Sequence, residues 1–287
     1  MNDLTSSKRK LWVLICCYLT FNMSASLLFS PIPSDTSFQL SKLSLSLYSV
    51  VSFLLPSFII RKLFWSDRLL NDCGSKHHWN VSVIVFAILA MLCTIVVMNW
   101  LGHINQQLPI WSSVKEAEIK SQEILQLYMK MDSIELLFYN LIIFSFVPSF
   151  CEEVFFRGTM QPLWVKSTGS KFIAVLITAT IFSFLHFQLL GFLPRLFGGL
   201  VLGTIFLLSK NIALTIICHF IYNSSIVVLN YTEQHSTLDM SVFQRQLLNP
   251  YLILSASVLT TTLLLQLHKT TRRLERIACR EEIRVKQ

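Results

Sequence analysis

Residues 134–150 read IELLFYNLIIFSFVPSF and run straight into Cys151-Glu152-Glu153-Val154-Phe155-Phe156-Arg157. A spanning helix needs about 20 mostly apolar residues, so this run is close to the required length. It ends on two carboxylates and a guanidinium. Two later apolar stretches also carry polar groups, Phe182-Ser183-Phe184-Leu185-His186 and His219-Phe220-Ile221-Tyr222-Asn223. An ionisable side chain at a helix centre costs about 2.5–3.5 kcal/mol on insertion scales, so several of them point to chemistry inside a membrane.

Composition agrees with that reading. Of the 287 residues 53% are hydrophobic and only 14% charged, and the mean hydropathy is positive. A soluble domain of this size rarely has such a balance. Eight spans are expected, at 11–29, 43–64, 81–101, 134–150, 172–190, 192–208, 212–229 and 251–267. The predicted fold is therefore an all-α polytopic membrane protein of about eight transmembrane helices, with a polar cavity among helices 4–7. The sixth span is the weakest, because Pro194 and Arg195 stand at its start.

The cations set an orientation, since cytoplasmic loops retain Lys and Arg. With the amino terminus inside, the inner segments hold Lys8, Arg9, Lys10, Arg61, Lys62, Arg68, Lys76, Arg157, Lys166, Lys171 and Lys210. The tail adds Lys269, Arg272, Arg273, Arg276, Arg280, Arg284 and Lys286, which places 18 of the 24 cations inside. Both termini are expected in the cytoplasm and the protein in the cell membrane. The net charge of +8 is then matched by anionic lipid headgroups of the bilayer, at about 1 kcal/mol per residue, and no nucleic-acid partner is expected. The tail at 270–287 reads as a solvated or membrane-surface helix. Lys8-Arg9-Lys10 before the first apolar run raises a signal peptide, but the run's length and its lack of a small-residue cleavage site favour a retained helix.

The seven cysteines show no paired spacing, so neither a disulfide framework nor a zinc knuckle is expected. The chain reads as one helical domain in three parts: helices 1–3 with an outer loop at 1–133, a core of helices 4–7 at 134–230, and the last span with its basic tail at 231–287. Within the long loop at 102–133, residues 115–130 have helical character. They fit an amphipathic cap on the outer membrane surface or an ordinary solvated helix.

Helical spacing puts Glu153 and Arg157 on one face at i and i+4, where they can pair. Glu152 then points about 100° away and stays available for proton exchange. The bland alternative is a charged helix end at the interface. A lone His186 would most simply bond a neighbouring helix, but His219 and Asn223 project from one face at i and i+4, as oxyanion donors or metal ligands would. A carrier with intramembrane Glu, His and Arg is a further reading.

These residues are similar to the three motifs of the CPBP intramembrane proteases, the group of CAAX prenyl endopeptidases and bacterial Abi proteins. The motifs stand here in family order as Glu152-Glu153-x-x-x-Arg157, Phe182-x-x-x-His186 and His219-x-x-x-Asn223. The resemblance covers roughly residues 134–229. It implies hydrolysis of a peptide bond in a membrane-bound or lipidated protein or peptide. By that resemblance Glu152 and His186 activate water, His219 and Asn223 stabilise the oxyanion, and Glu153 and Arg157 hold the site. A non-catalytic immunity or scaffold relative is the alternative within the family. Gly198, Gly199 and Gly203 fit the family's look and equally fit close helix packing.

No cofactor is favoured. Zinc or another divalent metal on Glu152, His186 and His219 is the alternative, although no His-Glu-x-x-His helix is present. One expectation is awkward. At 1.5 Å per residue, Glu152 lies about 27 Å from the outer edge, His219 about 12 Å from the inner edge and His186 about 22 Å from it, too far out to meet the others. The sequence offers two remedies: Pro148 ends the fourth span so that residues 151–164 form a separate helix, or the fifth helix starts below the membrane. The expected cavity opens toward the cytoplasm.

Overall fold

A computed structural model describes residues 2–28, 38–64, 79–236 and 240–285 of the chain. Arg68, Lys76 and Lys286, used above, and the cysteine Cys73 lie outside the described residues. The described residues are almost wholly helical and contain no β-strand. In chain order the helices are α1 (Asn2–Leu28), α2 (38–63), α3 (Val81–Gln106), α4 (Ser112–Tyr128), α5 (Ile134–Thr168), α6 (Lys171–Phe184), α7 (Phe192–Ser209), α8 (Ile212–His235), α9 (Met240–Leu247) and α10 (Pro250–Val285).

Six of them are long and apolar enough to cross a membrane: Lys42–Leu63, Val81–Gln106, Ile134–Thr168, Leu189–Ser209, Ile212–His235 and Pro250–Arg280. They match six of the eight expected spans. The first expected span falls on α1, except Phe29, which is outside the described residues. The fifth falls on α6, which has only 14 residues. Large apolar side chains point outward along the bundle, among them Phe58, Phe138, Phe172 and Leu254. Lipid satisfies such a surface, so polar groups gather inside instead.

Local sequence explains the helix ends. Asn80, Ser133, Ser170 and Asn211 each accept a hydrogen bond from a backbone N–H in the first turn of α3, α5, α6 and α8. Gly169, at φ 69°, ends α5 in the left-handed conformation that glycine adopts without steric cost, and α6 begins two residues later.

Pro148 does not end the helix, which corrects the separate segment expected at 151–164. Helix α5 runs unbroken from Ile134 to Thr168 because a π-helical turn, Leu141–Phe146, precedes the proline. The Val147 N–H bonds back five residues to the Ile142 carbonyl. A second π-helical turn, Phe156–Met160, follows the carboxylates. Such wider turns re-aim the side chains around them and are frequent at functional sites.

The bundle has two distinguishable ends. At one, Lys10 lies 4.9 Å over the Phe64 ring and Lys210 pairs with Glu275 at 2.8 Å. At the other, Gln234 near the end of α8 bonds the backbone of Met129 and Met131, and Asn105 at the end of α3 bonds that of Leu189 and Leu193. Each of the first two contacts joins segments that the cation count assigns to one side.

Candidate active site

Glu153 and Arg157 are both fully buried on α5, and Arg157 Nη1 donates to Glu153 Oε1 over 2.6 Å. The i, i+4 pairing read from the sequence is therefore present. His219 on α8 adds a second contact to the same oxygen, Nδ1 to Oε1 at 2.8 Å. A carboxylate accepts, so Nδ1 carries the proton and Nε2 is the ring nitrogen left to face the cavity. Nε2 lies 3.8 Å from Glu152 Oε2, too far for a direct hydrogen bond and suited to one bridging water.

Two glycines on α7 decide how closely it approaches. A Cβ at Gly199 would stand 3.1 Å from Ala179 Cβ, and one at Gly203 would stand 3.0 Å from Gln161 Oε1 and from Val175 Cγ1. The close approach lets their carbonyls act as acceptors. Arg157 Nη2 donates to Gly199 O over 3.1 Å and Gln161 Nε2 to Gly203 O over 3.0 Å. Packing accounts for both glycines, and it holds the guanidinium opposite Glu153.

His186 does not sit on a long fifth helix. Helix α6 stops at Phe184, and His186 lies in the turn that follows, with Nδ1 2.8 Å from the Phe182 carbonyl. That carbonyl takes the Nδ1 proton and leaves Nε2 free to accept. Phe187, at φ 52°, turns the chain sharply after it. A bulky residue in this region costs about 1–2 kcal/mol, so surrounding contacts must hold the turn. The length of α5 removes the depth mismatch: it continues past Glu152 to Thr168, about 24 Å at 1.5 Å per residue, and His186 lies about 22 Å back along the return that starts at Lys171.

The motif phenylalanine has its own role. The Phe182 ring is edge-on to His186 and to His219, at 5.0 and 5.8 Å between centroids, and lies 5.2 Å from the Arg157 guanidinium. It sits between the two imidazoles as a shared wall. Asn223 Nδ2 donates to Ser149 Oγ over 3.0 Å, which ties α8 to α5 one turn before Glu152.

Glu152, His186, His219 and Asn223 all line one cavity of about 270 Å³, together with Phe182, Tyr222 and Arg195. All four sequence-predicted catalytic residues are thus brought together, with Glu153 and Arg157 directly behind them. Phe144 and Pro148 on α5, and Ile226 and Val227 on α8, carry the lining toward Leu125 and Met129 at the α4 end. That end lies opposite Lys10 and Lys210. Among the described residues no three His, Cys, Asp or Glu side chains are grouped to hold a metal ion.

Sequence reading gave no role in the site to Arg195 or Ser149, and left residues 115–130 open between a cap and a solvated helix. The loop helix is α4, and its Glu118 is buried rather than solvated. Both Glu118 oxygens accept backbone N–H groups, from Leu189 at 2.5 Å and Leu190 at 2.8 Å. The available signal was Arg195 itself, a cation inside an apolar stretch nine residues after His186.

Residues 134–225 match the model of a protein family described as type II CAAX prenyl endopeptidase Rce1-like. The likeness covers that segment, about a third of the chain. It begins with α5 and ends just after Asn223, so it contains every motif residue and the whole α5–α8 wall of the cavity apart from the last residues toward α4. No curated protein and no solved structure matches the chain. The family supports a CAAX-type intramembrane protease, a hydrolase embedded in the membrane by several helices.

Proposed function

We propose that this chain is an endopeptidase that cuts a membrane-associated or lipidated protein or peptide, with Glu152, His186, His219 and Asn223 carrying the reaction. The observation that supports this most is their convergence on one cavity inside the segment that matches the endopeptidase family.

In this reading a water sits between Glu152 and His186, and the free Nε2 of His186 accepts one of its protons to fix its direction. Glu152 takes the other proton as the oxygen attacks the scissile carbonyl carbon. The oxyanion accepts hydrogen bonds from the Asn223 amide and from His219 Nε2, on a ring carrying both protons. Glu152 then passes its proton to the departing amine as the C–N bond breaks. Glu153 and Arg157 orient His219. Helices α5–α8 and the α4 cover keep bulk water from the polarised carbonyl.

The test compares protein termini in membranes from cells expressing wild type or Glu152→Gln at matched levels. New termini are expected with wild type alone, with turnover of a purified substrate falling roughly 10²- to 10⁴-fold in the variant. Identical termini from two folded proteins would remove the protease reading and leave a carrier or scaffold. The reading is also metal-free: EDTA is expected to leave turnover unchanged, and loss that zinc restores would overturn that part.

A further inference from the structure

The cavity lining holds a cation that the mechanism does not use. Arg195 stands in the first turn of α7, on the wall that also carries Glu152 and His186. Its two terminal nitrogens donate to Gln188, Nη1 to the side-chain oxygen at 3.1 Å and Nη2 to the backbone carbonyl. Its Nε is buried without a partner. Among the described residues no carboxylate lies within ion-pairing distance of it.

The contrast with Arg157 is informative. That guanidinium has Glu153 at 2.6 Å, so its charge is offset within the fold. Arg195 has only neutral acceptors in direct contact, which orient its plane, while Glu152 and Glu118 act on it from beyond ion-pairing distance. An oriented guanidinium with no carboxylate in contact is costly to bury and favours an incoming one, which it can bind through paired hydrogen bonds. The nearest acid on α4, Glu118, is engaged with the Leu189 and Leu190 N–H groups and is fixed there.

We infer that Arg195 is a substrate-binding residue that receives a carboxylate of the peptide, and so selects peptides bearing a negative charge near the cleaved bond. The inference rests on the protease reading for its substrate class. Two sources share this chemistry, the peptide's own carboxyl terminus and an acidic side chain. The cavity favours the first: at about 270 Å³ it is at the small end of ligand sites, which run to about 1,000 Å³, and α4 covers its mouth. Only a short piece of chain fits beyond the reacting carbonyl.

The experiment uses the full chain in lipid nanodiscs, as Glu152→Gln so that bound peptide is not turned over. N-palmitoylated random octapeptides are offered in two forms, free acid and carboxyl-terminal amide, and retained peptides are read by mass spectrometry. About tenfold enrichment of acids over amides is expected, which is the size of one charge-assisted hydrogen bond. It is expected to vanish in Glu152→Gln/Arg195→Gln and to survive in part in Glu152→Gln/Arg195→Lys. Enrichment of Asp- and Glu-containing peptides in both forms, lost with Arg195→Gln, assigns the carboxylate to a side chain. No charge preference, or one that persists in Arg195→Gln, overturns the proposal. Cleavage of the same peptides by wild type is scored separately, so a protein that selects acids without cutting them removes the protease reading alone.

Discussion

The floor and the roof of the cavity are built by opposite means. The floor is Glu153, Arg157 and His219, where an ion pair is shielded from lipid by fully buried side chains and braced by the carbonyls of α7. The roof is the turn from Leu185 to Gly191 with the start of α7. It is held through its backbone by two side chains, Asn105 and Glu118, that precede the matched segment. The floor neutralises its charge internally. The roof has its backbone donors satisfied and its arginine bonded only to the neutral Gln188.

The largest test of the comparison is Arg157→Met. Removing one partner of a buried pair leaves Glu153 without its cation and with His219 as its remaining close partner, which costs about 3–5 kcal/mol. We expect a marked fall in the melting temperature of the detergent-solubilised protein and loss of most folded material. A variant as stable as wild type would show that the floor is not held by its ion pair.

Next in size is Glu118→Gln. One of two charge-assisted bonds to the roof is lost and the other weakened, an effect of about 1.5–3 kcal/mol on that segment. Hydrogen exchange at the Leu189 and Leu190 amides is expected to accelerate, and turnover to slow, while exchange around Glu153 on α5 stays as in wild type. Uniform acceleration along both segments would mean that roof and floor open as one unit.

The smallest effect serves as the control. Lys210 and Glu275 pair at 2.8 Å, but their side chains are 55% and 45% exposed. Glu275→Gln is expected to change stability by no more than about 1 kcal/mol, less in high salt, with turnover unchanged. A larger loss would make the far end of the bundle part of what fixes the floor.

Much of the floor was legible before any coordinates. The Glu153–Arg157 pairing follows from helical periodicity alone, and the apolar runs foretold the spanning helices because bilayer thickness sets their length. The roof was far less legible. Glu118 sat in a mixed-charge stretch that looks like any solvated helix, and Arg195 read as a weakness in a predicted span. Their roles depend on partners 71 or more residues away, or seven residues away around a sharp turn, and no local pattern encodes either. The 14-residue α6 was misjudged for a related reason. Residues 172–190 are apolar enough to continue, but the chain turns at His186 because Glu118 and Asn105 capture the backbone donors beyond it.

The sequence by itself determined that this is a helical membrane protein, which polar residues interrupt its apolar runs and which carboxylate is paired. These properties depend on composition and on spacing along one helix. Tertiary structure alone decided that α5 passes through Pro148 without a break, that the cavity faces the α4 end, and that His186 reaches the depth of Glu152. Each of these depends on where backbone donors and acceptors find partners across the fold, and in a bilayer no water stands ready to satisfy them otherwise.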